Sequence, residues 1–253
     1  MQTEKTHFGF KQVSVEEKAG LVKEIFSAVA KKYDLMNDLM SGGVHRLWKN
    51  KMVEEISFAE AEKTYRIIDL AGGTGDIAFR IAKKSRAQKV KCAIDVVDIN
   101  QEMLEVGGQR AVDLNLFSDL KFTCCDGEKL CFEDEVFDFF TIAFGIRNFT
   151  NIDSALLEAY RVLKPGGKFI CLEFSKVNDY FLQKIYDSYS FKIIPKIGEI
   201  ILKDRASYQY LVESIRKFPS QDEFKKMIEK AGFKNVTYHN LSFGAAAIHR
   251  GEK

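Results

Sequence analysis

The run "IIDLAGGTGD" at residues 67–76 decides the fold. A short apolar stretch, Ile67 to Leu70, breaks at Gly72, Gly73 and Gly75 and gives way to "DIAFRIAKK", whose apolar residues recur at helical spacing. A strand that turns through glycines into a helix lets backbone approach a ligand closely. No Cβ atoms stand in the way, and the first amides of the helix are free donors. A tight turn packed only on its own helix would not account for three glycines set beside Asp69 and Thr74.

Working outward, "YRIIDLA" (65–71), "CAIDVVDI" (92–99), "LKFTC" (120–124), "FDFFTIAF" (137–144) and "KFICLEFS" (168–175) read as buried parallel strands. Helical stretches such as "QEMLEVGGQRAVDLN" (101–115) and "IDSALLEAYRVLK" (152–164) lie between several of them, with Pro165 and the following glycines stopping the second. This alternation predicts an α/β fold with a doubly wound, mostly parallel sheet. Ser14 and Glu17 form a capping box that opens a helix through "VEEKAGLVKEIFSAVAKKY", so residues 1–60 are expected to be helical. Residues 64–175 form the core. The stretch 178–213, rich in aromatics and lysines, reads as a helical insertion. Ser220 and Glu223 cap a further helix that stops at Gly232, and "NVTYHNLSFGAAAIHR" (235–250) reads as a hairpin that ends the sheet within residues 220–253. The whole, 1–253, reads as a single domain.

The 253 residues are 46% hydrophobic, enough to bury one sizeable core. Charged residues make up 29% but nearly cancel, at +2, so bulk charge does not select a nucleic acid or an anionic membrane. Five cysteines without a C-x-x-C pair suit a reducing, cytoplasmic compartment, where they read as buried strand thiols. The four histidines are scattered, with no metal-ligand spacing, so no metal is expected. No apolar run reaches the length of a membrane span. An apolar substrate would be met at a membrane surface.

The glycine loop alone leaves two ligands open, because Gly73-x-Gly75-x-x-Ala78 also fits the dinucleotide fingerprint of nicotinamide enzymes. Asp98, ending the second strand, would accept bonds from ribose hydroxyls of either ligand, and Asp126 after the third strand reads on its own as a loop acid that could also take an adenine amino group. Asp69, Gly73, Thr74, Gly75, Asp98 and Asp126 are the candidate ligand-binding residues.

Two longer segments narrow the choice. "YDLMNDLMSGGVHRLW" (33–48) and "RVLKPGGKFICLEFS" (161–175) resemble the two signatures of the ubiquinone/menaquinone biosynthesis C-methyltransferases, and "DLAGGTGD" and "FGIRN" (144–148) fit the same family. The resemblance implies a Rossmann-like, seven-stranded class I methyltransferase that binds S-adenosylmethionine through Thr74, Asp98, Asp126 and Gly127. Where that family often has serine before "FGxRN", Ala143 stands here, and it is kept as a lining residue. The implied reaction is methylation of a ring carbon of a polyprenylated benzoquinol or naphthoquinol. The ring must be in its reduced form, because only a deprotonated hydroxyl makes that carbon nucleophilic enough. Arg147 is the leading candidate for phenolate stabilisation and His45 has the intrinsic pKa of a base. Tyr33, Asp34, Asn37 and Asn148 complete the catalytic candidates. Expected partners are the quinol, a membrane surface, other quinone-biosynthesis enzymes and a second copy of the chain, but no nucleic acid. A non-catalytic S-adenosylmethionine-binding component of a quinone-biosynthesis complex is the alternative, with a nicotinamide dehydrogenase behind it.

Overall fold

Strand formation in this chain follows from apolar runs whose alternate side chains enter two different cores. In the computed structural model, which describes residues 5–14, 17–18, 20–22, 24–25, 43–177 and 205–253, Ile67, Val96, Phe139 and Ile170 face one cluster, while Ile68, Val97, Phe140 and Phe169 face the other. A sheet buried on both faces needs this period-two division, and it explains why the strand sequences are nearly continuous in apolar residues.

In chain order the elements are β1 (Lys5–Phe8), β2 (Lys11–Ser14), α1 (His45–Glu54), β3 (Thr64–Leu70), α2 (Asp76–Ala87), β4 (Lys91–Asp98), α3 (Gln101–Asp113), β5 (Leu120–Cys124), β6 (Phe137–Ala143), α4 (Ile152–Val162), β7 (Leu163–Phe174), α5 (Arg205–Lys217), α6 (Gln221–Lys230), β8 (Lys234–Leu241) and β9 (Ala246–Glu252). The main sheet has seven strands in the order β5-β4-β3-β6-β7-β9-β8. Pairing is parallel from β5 through to β7, and β9 runs antiparallel to both β7 and β8. The doubly wound sheet and the closing hairpin are as the sequence predicts. The strand order reverses between β3 and β6, so a crevice opens at their carboxyl ends.

Helix starts follow the capping chemistry of the sequence. Ser220 and Glu223 complete a reciprocal capping box on α6, the Asn100 side chain accepts from the amides of Glu102 and Met103, and Asn151 accepts from that of Ser154. The Ser14–Glu17 box is also made, with Glu17 Oε2 accepting from the Ser14 amide at 2.9 Å and Ser14 Oγ from the Glu17 amide at 3.2 Å.

Three expectations need correction. The first sixty residues are not uniformly helical, since β1 and β2 form an antiparallel hairpin turned at Gly9, with φ +59°. Its strands, "KTHF" and "KQVS", are too short and polar to stand out by pattern. Around Pro165 the chain does not make a separate turn. The helix α4 ends at Val162 and strand geometry begins at Leu163, running through Pro165 to Phe174, with a register shift opposite Phe137. Proline is tolerated there because a bulge asks for no ladder donor. Of the cysteines only Cys171 is buried; Cys124 and Cys131 are exposed. Most of the expected insertion, 178–204, lies outside the described residues.

One contact ties the fold to its crevice. Gly107, in the middle of α3, lies so close to the glycine loop that a Cβ there would sit 2.7 Å from the Phe122 ring, 3.2 Å from the Thr74 carbonyl carbon and 3.3 Å from the Gly73 oxygen. The two backbone neighbours cannot swing away as a side chain can. Gly107→Ala is therefore expected to cost about 1–3 kcal/mol of stability through overpacking, read as a lower urea midpoint with an unchanged denaturant slope. An unchanged midpoint would mean that α3 and the loop are not held at this spacing.

Candidate functional site

Four strand ends and their loops build one cleft. It is lined by residues 69–74 after β3, 98–100 after β4, 125–128 after β5 and 143–145 after β6, together with Lys49 of α1, Asp76 and Ile77 of α2, and residues 148–150. About 1190 Å³ of empty space, part of it open solvent, lies between these residues. The topology puts it at the crevice where strand order reverses.

The floor is the glycine loop. Ala71 at φ +51°, Gly73 at φ +53° and Gly75 at φ +85° bend the chain sharply, and Gly75 then caps α2. A Cβ on Gly72 would lie 2.7 Å from the Val96 side chain and 2.9 Å from the Asp69 oxygen, so the loop can follow the sheet only with glycine at this position. Asp98 fastens the loop from the neighbouring strand, its Oδ2 accepting from the Gly73 amide at 3.0 Å and its Oδ1 from the Asn100 amide at 2.9 Å. Burial pushes the Asp98 carboxyl up to about 6, against the pull of the amides of Asn100, Gly73 and Ile99. Asp69 is deeper. Burial raises it to about 7, opposed by hydrogen bonding from Thr141, whose Oγ1 donates to Asp69 Oδ1 at 2.8 Å, and from the Ala78 amide. Its Oδ2 is buried with no well-formed hydrogen bond among the described residues.

Across the cleft, Asp126 Oδ1 accepts from the Glu128 amide at 2.9 Å, which orders the loop after β5. A Cβ on Gly127 would fall 2.6 Å from the Phe149 ring and 3.0 Å from Leu70, so a larger residue there would have to displace both side chains. Ala143 ends β6 on the cleft wall. The donor set thus suits an adenosyl ligand: a backbone cradle without side chains, a carboxylate beside it for ribose hydroxyls, and a second acid for an amino group. Thr74 lines the cleft, with Oγ1 accepting from Arg110 at 2.7 Å. Gly75 shapes the turn without lining the cleft.

The catalytic candidates separate. Asn148 lines the cleft, its Oδ1 accepting from the Tyr210 hydroxyl at 3.0 Å. Arg147, one residue earlier, turns the other way. Its guanidinium is almost fully buried, 2.7 Å from the equally buried Glu173 of β7, bonds the Phe144 carbonyl and lies over the Phe174 ring. It borders a neighbouring cavity with Tyr210 and the N-terminal hairpin instead of the cleft itself. His45 is 1% exposed and sits at the start of α1, also outside the cleft lining. Trp48 packs against the paired rings of Phe144 and Phe174 and donates to Ser242 Oγ at 3.1 Å. Tyr33, Asp34 and Asn37 lie outside the described residues.

Sequence reading missed three participants. Glu173 was visible only as one acid inside the apolar run "KFICLEFS". Glu128 accepts from the Thr150 and Asn151 amides at 2.6 and 3.1 Å, joining the loops after β5 and β6. Lys49, 3% exposed, reaches the cleft and pairs with Asp76 at 2.7 Å. Neither of the last two has a pattern that marks it.

Comparison with known proteins places this geometry. A model of the ubiE/COQ5 methyltransferase family matches residues 11–253. The ubiquinone/menaquinone biosynthesis C-methyltransferase UbiE of Rickettsia bellii is 54% identical over 248 residues, 98% of each chain, and its counterpart in Rickettsia felis is 54% identical over the same span. Among solved structures, a possible histamine N-methyltransferase from Thermotoga maritima superposes with a TM-score of 0.60 at 21% identity, covering 91% of this chain and 98% of its own. A putative methyltransferase from Methanococcus maripaludis gives 0.59 at 18% identity, covering 100% and 97%. The solved structures agree in fold, and the sequence relatives and family model carry the assignment: this chain belongs to the ubiE/COQ5 methyltransferase family, and its activity is S-adenosylmethionine-dependent methyl transfer.

Proposed function

We propose that the chain methylates a ring carbon of a polyprenylated benzoquinol or naphthoquinol in its reduced form. The observation that carries this reading is the cleft at the strand-order reversal, where the cradle of residues 71–74, the acids Asp98 and Asp126, and Asn148 line one space. When bound, S-adenosylmethionine supplies an electrophilic methyl group on a sulfonium. The protein's part is to hold and orient both reactants and to exclude water.

In this reading Asp98 accepts from the ribose hydroxyls, Asp126 from the adenine amino group, and the backbone of Gly73 and Gly127 lies against the nucleoside. Asp69 faces the ligand's ammonium group, Thr74 and Ala143 line the wall, and Gly75 sets the loop's exit into α2. Asn148, its carbonyl oxygen occupied by Tyr210, has its amide donors left for a ring oxygen of the second reactant. Arg147 acts as a positioning residue, because its ion pair with Glu173 pins the turn Ile146–Asn148 to β7. Loss of the phenolic proton calls for an acceptor other than His45, which is buried outside the cleft lining, and Tyr33 of the same signature is the proposed hydrogen-bond partner of that hydroxyl. The isoprenoid tail would leave the mouth toward a membrane surface, where the aromatic stretch 178–213, a second copy or other quinone enzymes would cover it. No helix among the described residues is long and apolar enough to cross a membrane.

Labelled S-adenosylmethionine mixed with reduced and oxidised demethylated ring analogues tests the reaction. Label is expected in a reduced ring and in neither oxidised one; equal labelling of an oxidised ring would end the quinol requirement. Asp98 adds a pH signature. Its folded pKa is raised, so its contribution to folding stability is present at low pH and lost as pH rises through about 6. Ligand binding runs the opposite way, because the ionised form accepts two hydroxyls. The affinity for 5′-methylthioadenosine, which keeps the ribose but has no ammonium for Asp69, should fall as pH drops from about 7 to about 5, and Asp98→Asn should weaken its binding about 10- to 100-fold and flatten that dependence. A mutant titration that keeps the wild-type slope would remove Asp98 from the ribose. Glu173→Gln leaves the Arg147 cation buried without its counter-charge, at a cost of about 3–5 kcal/mol; a thermal midpoint within a degree of wild type would show that the pair does not pin the turn.

A further inference from the structure

One end of the cleft carries an arrangement that the adenosine contacts do not use. Lys49, projecting from α1, is the one basic residue among the described residues that line the cleft. Its side chain is 4% exposed, and its Nζ donates to Asp76 Oδ2 at 2.7 Å. An ammonium has three donors, so two remain. Asp76, in the first turn of α2, is shared: Arg80 donates to its Oδ1 at 3.2 Å. Two cations thus meet one carboxylate beside the N-terminus of a twelve-residue helix, leaving one positive charge in excess where the helix dipole already favours an anion. A few residues away in the same lining, Asp69 Oδ2 is buried without a well-formed hydrogen bond among the described residues.

A buried cation with spare donors next to a buried acid with a spare oxygen complements a zwitterion. The amino-acid end of the methyl donor is one, carrying an ammonium and a carboxylate on the same carbon. We propose that Lys49 binds the carboxylate of the donor's methionyl end, while Asp69 takes its ammonium, so that Lys49 selects an intact amino-acid group and sets how far the sulfonium enters the cleft. This rests on the reading that the donor's adenosine lies against Asp98 and Asp126. It adds a specificity-determining residue for the same ligand, from α1, a helix that precedes the main sheet in sequence.

Three ligands separate the two claims by calorimetric binding: S-adenosylhomocysteine, its decarboxylated analogue, which keeps the ammonium, and 5′-methylthioadenosine, which lacks the whole amino-acid end. Wild type should bind S-adenosylhomocysteine about 10- to 100-fold more tightly than the decarboxylated analogue, the range for a charge-assisted bond. Lys49→Met should erase that preference and leave 5′-methylthioadenosine binding within about threefold. Lys49→Arg, keeping the charge, should restore part of it. If Lys49→Met weakens all three ligands alike, Lys49 acts only by steadying Asp76 and the inference falls. If Lys49→Met does not fold, the wild-type comparison still decides, since equal affinity for the carboxylated and decarboxylated ligands overturns the proposal. Failure of wild type to bind even 5′-methylthioadenosine would refute the adenosine reading instead.

Discussion

The hydrogen bond from the Gly73 amide to Asp98 joins the ends of two adjacent parallel strands, and the cleft depends on it. The β3–α2 loop is bent through positive φ at Ala71, Gly73 and Gly75, conformations that the chain does not hold by local preference. Something outside the loop must fix it. Asp98 does so from β4, Gly107 lets α3 press against it from behind, and Thr141 on β6 steadies Asp69 from the other side. The site is the meeting of four strand ends that are rigid because the sheet beneath them is buried on both faces.

That rigidity sits beside a set of buried charges. Asp69 and Asp98 are held away from water and rise toward neutral pH, whereas Asp76, paired with Lys49 and Arg80, has its carboxyl lowered even though burial works against it. The difference comes from partners. At Asp76 two cations outweigh burial; around Asp69 and Asp98, where amides and a hydroxyl are the main partners, burial dominates and ionisation is costly until a ligand contributes its own donors. Below the cleft, Arg147 and Glu173 form a fully buried pair whose geometry is settled within the protein. Each is costly to remove singly, which explains why a turn of three residues keeps its place over an otherwise apolar layer.

Much of this was legible in the sequence because it is local. Glycines in a row after an apolar run, an acid at a strand's end, serine three residues before glutamate: each states its own geometry, and the loop, Asp98, the capping boxes and the closing hairpin all stand where they were read. What escaped was non-local. Arg147 follows a strand end and so looked like a cleft residue, but its direction is set by Glu173, 26 positions later. Lys49 reads as a solvated helix residue until α2 brings Asp76 to it. The hairpin of residues 5–14 has no strong alternation, and its partners are far away in sequence, with the Phe8 ring stacked on Tyr210 at 4.3 Å.

The strand order has a consequence for how such a chain is made. The last strand in sequence, β9, does not lie at the edge: it runs between β7 and β8 and pairs with both. During synthesis the parallel half, β3 to β7, emerges first, yet its β7 edge stays uncovered until Glu252 has been translated and has cleared the ribosome. Until then the nascent protein shows an open row of backbone donors and acceptors beside Phe169 and Cys171, a template on which another unfinished chain can pair. A slow step in translation between Phe174 and Glu252 would lengthen that exposure, so the demand for chaperone cover falls after β7 has been made and before β9 can cover it, when most of the ligand cleft has already been specified.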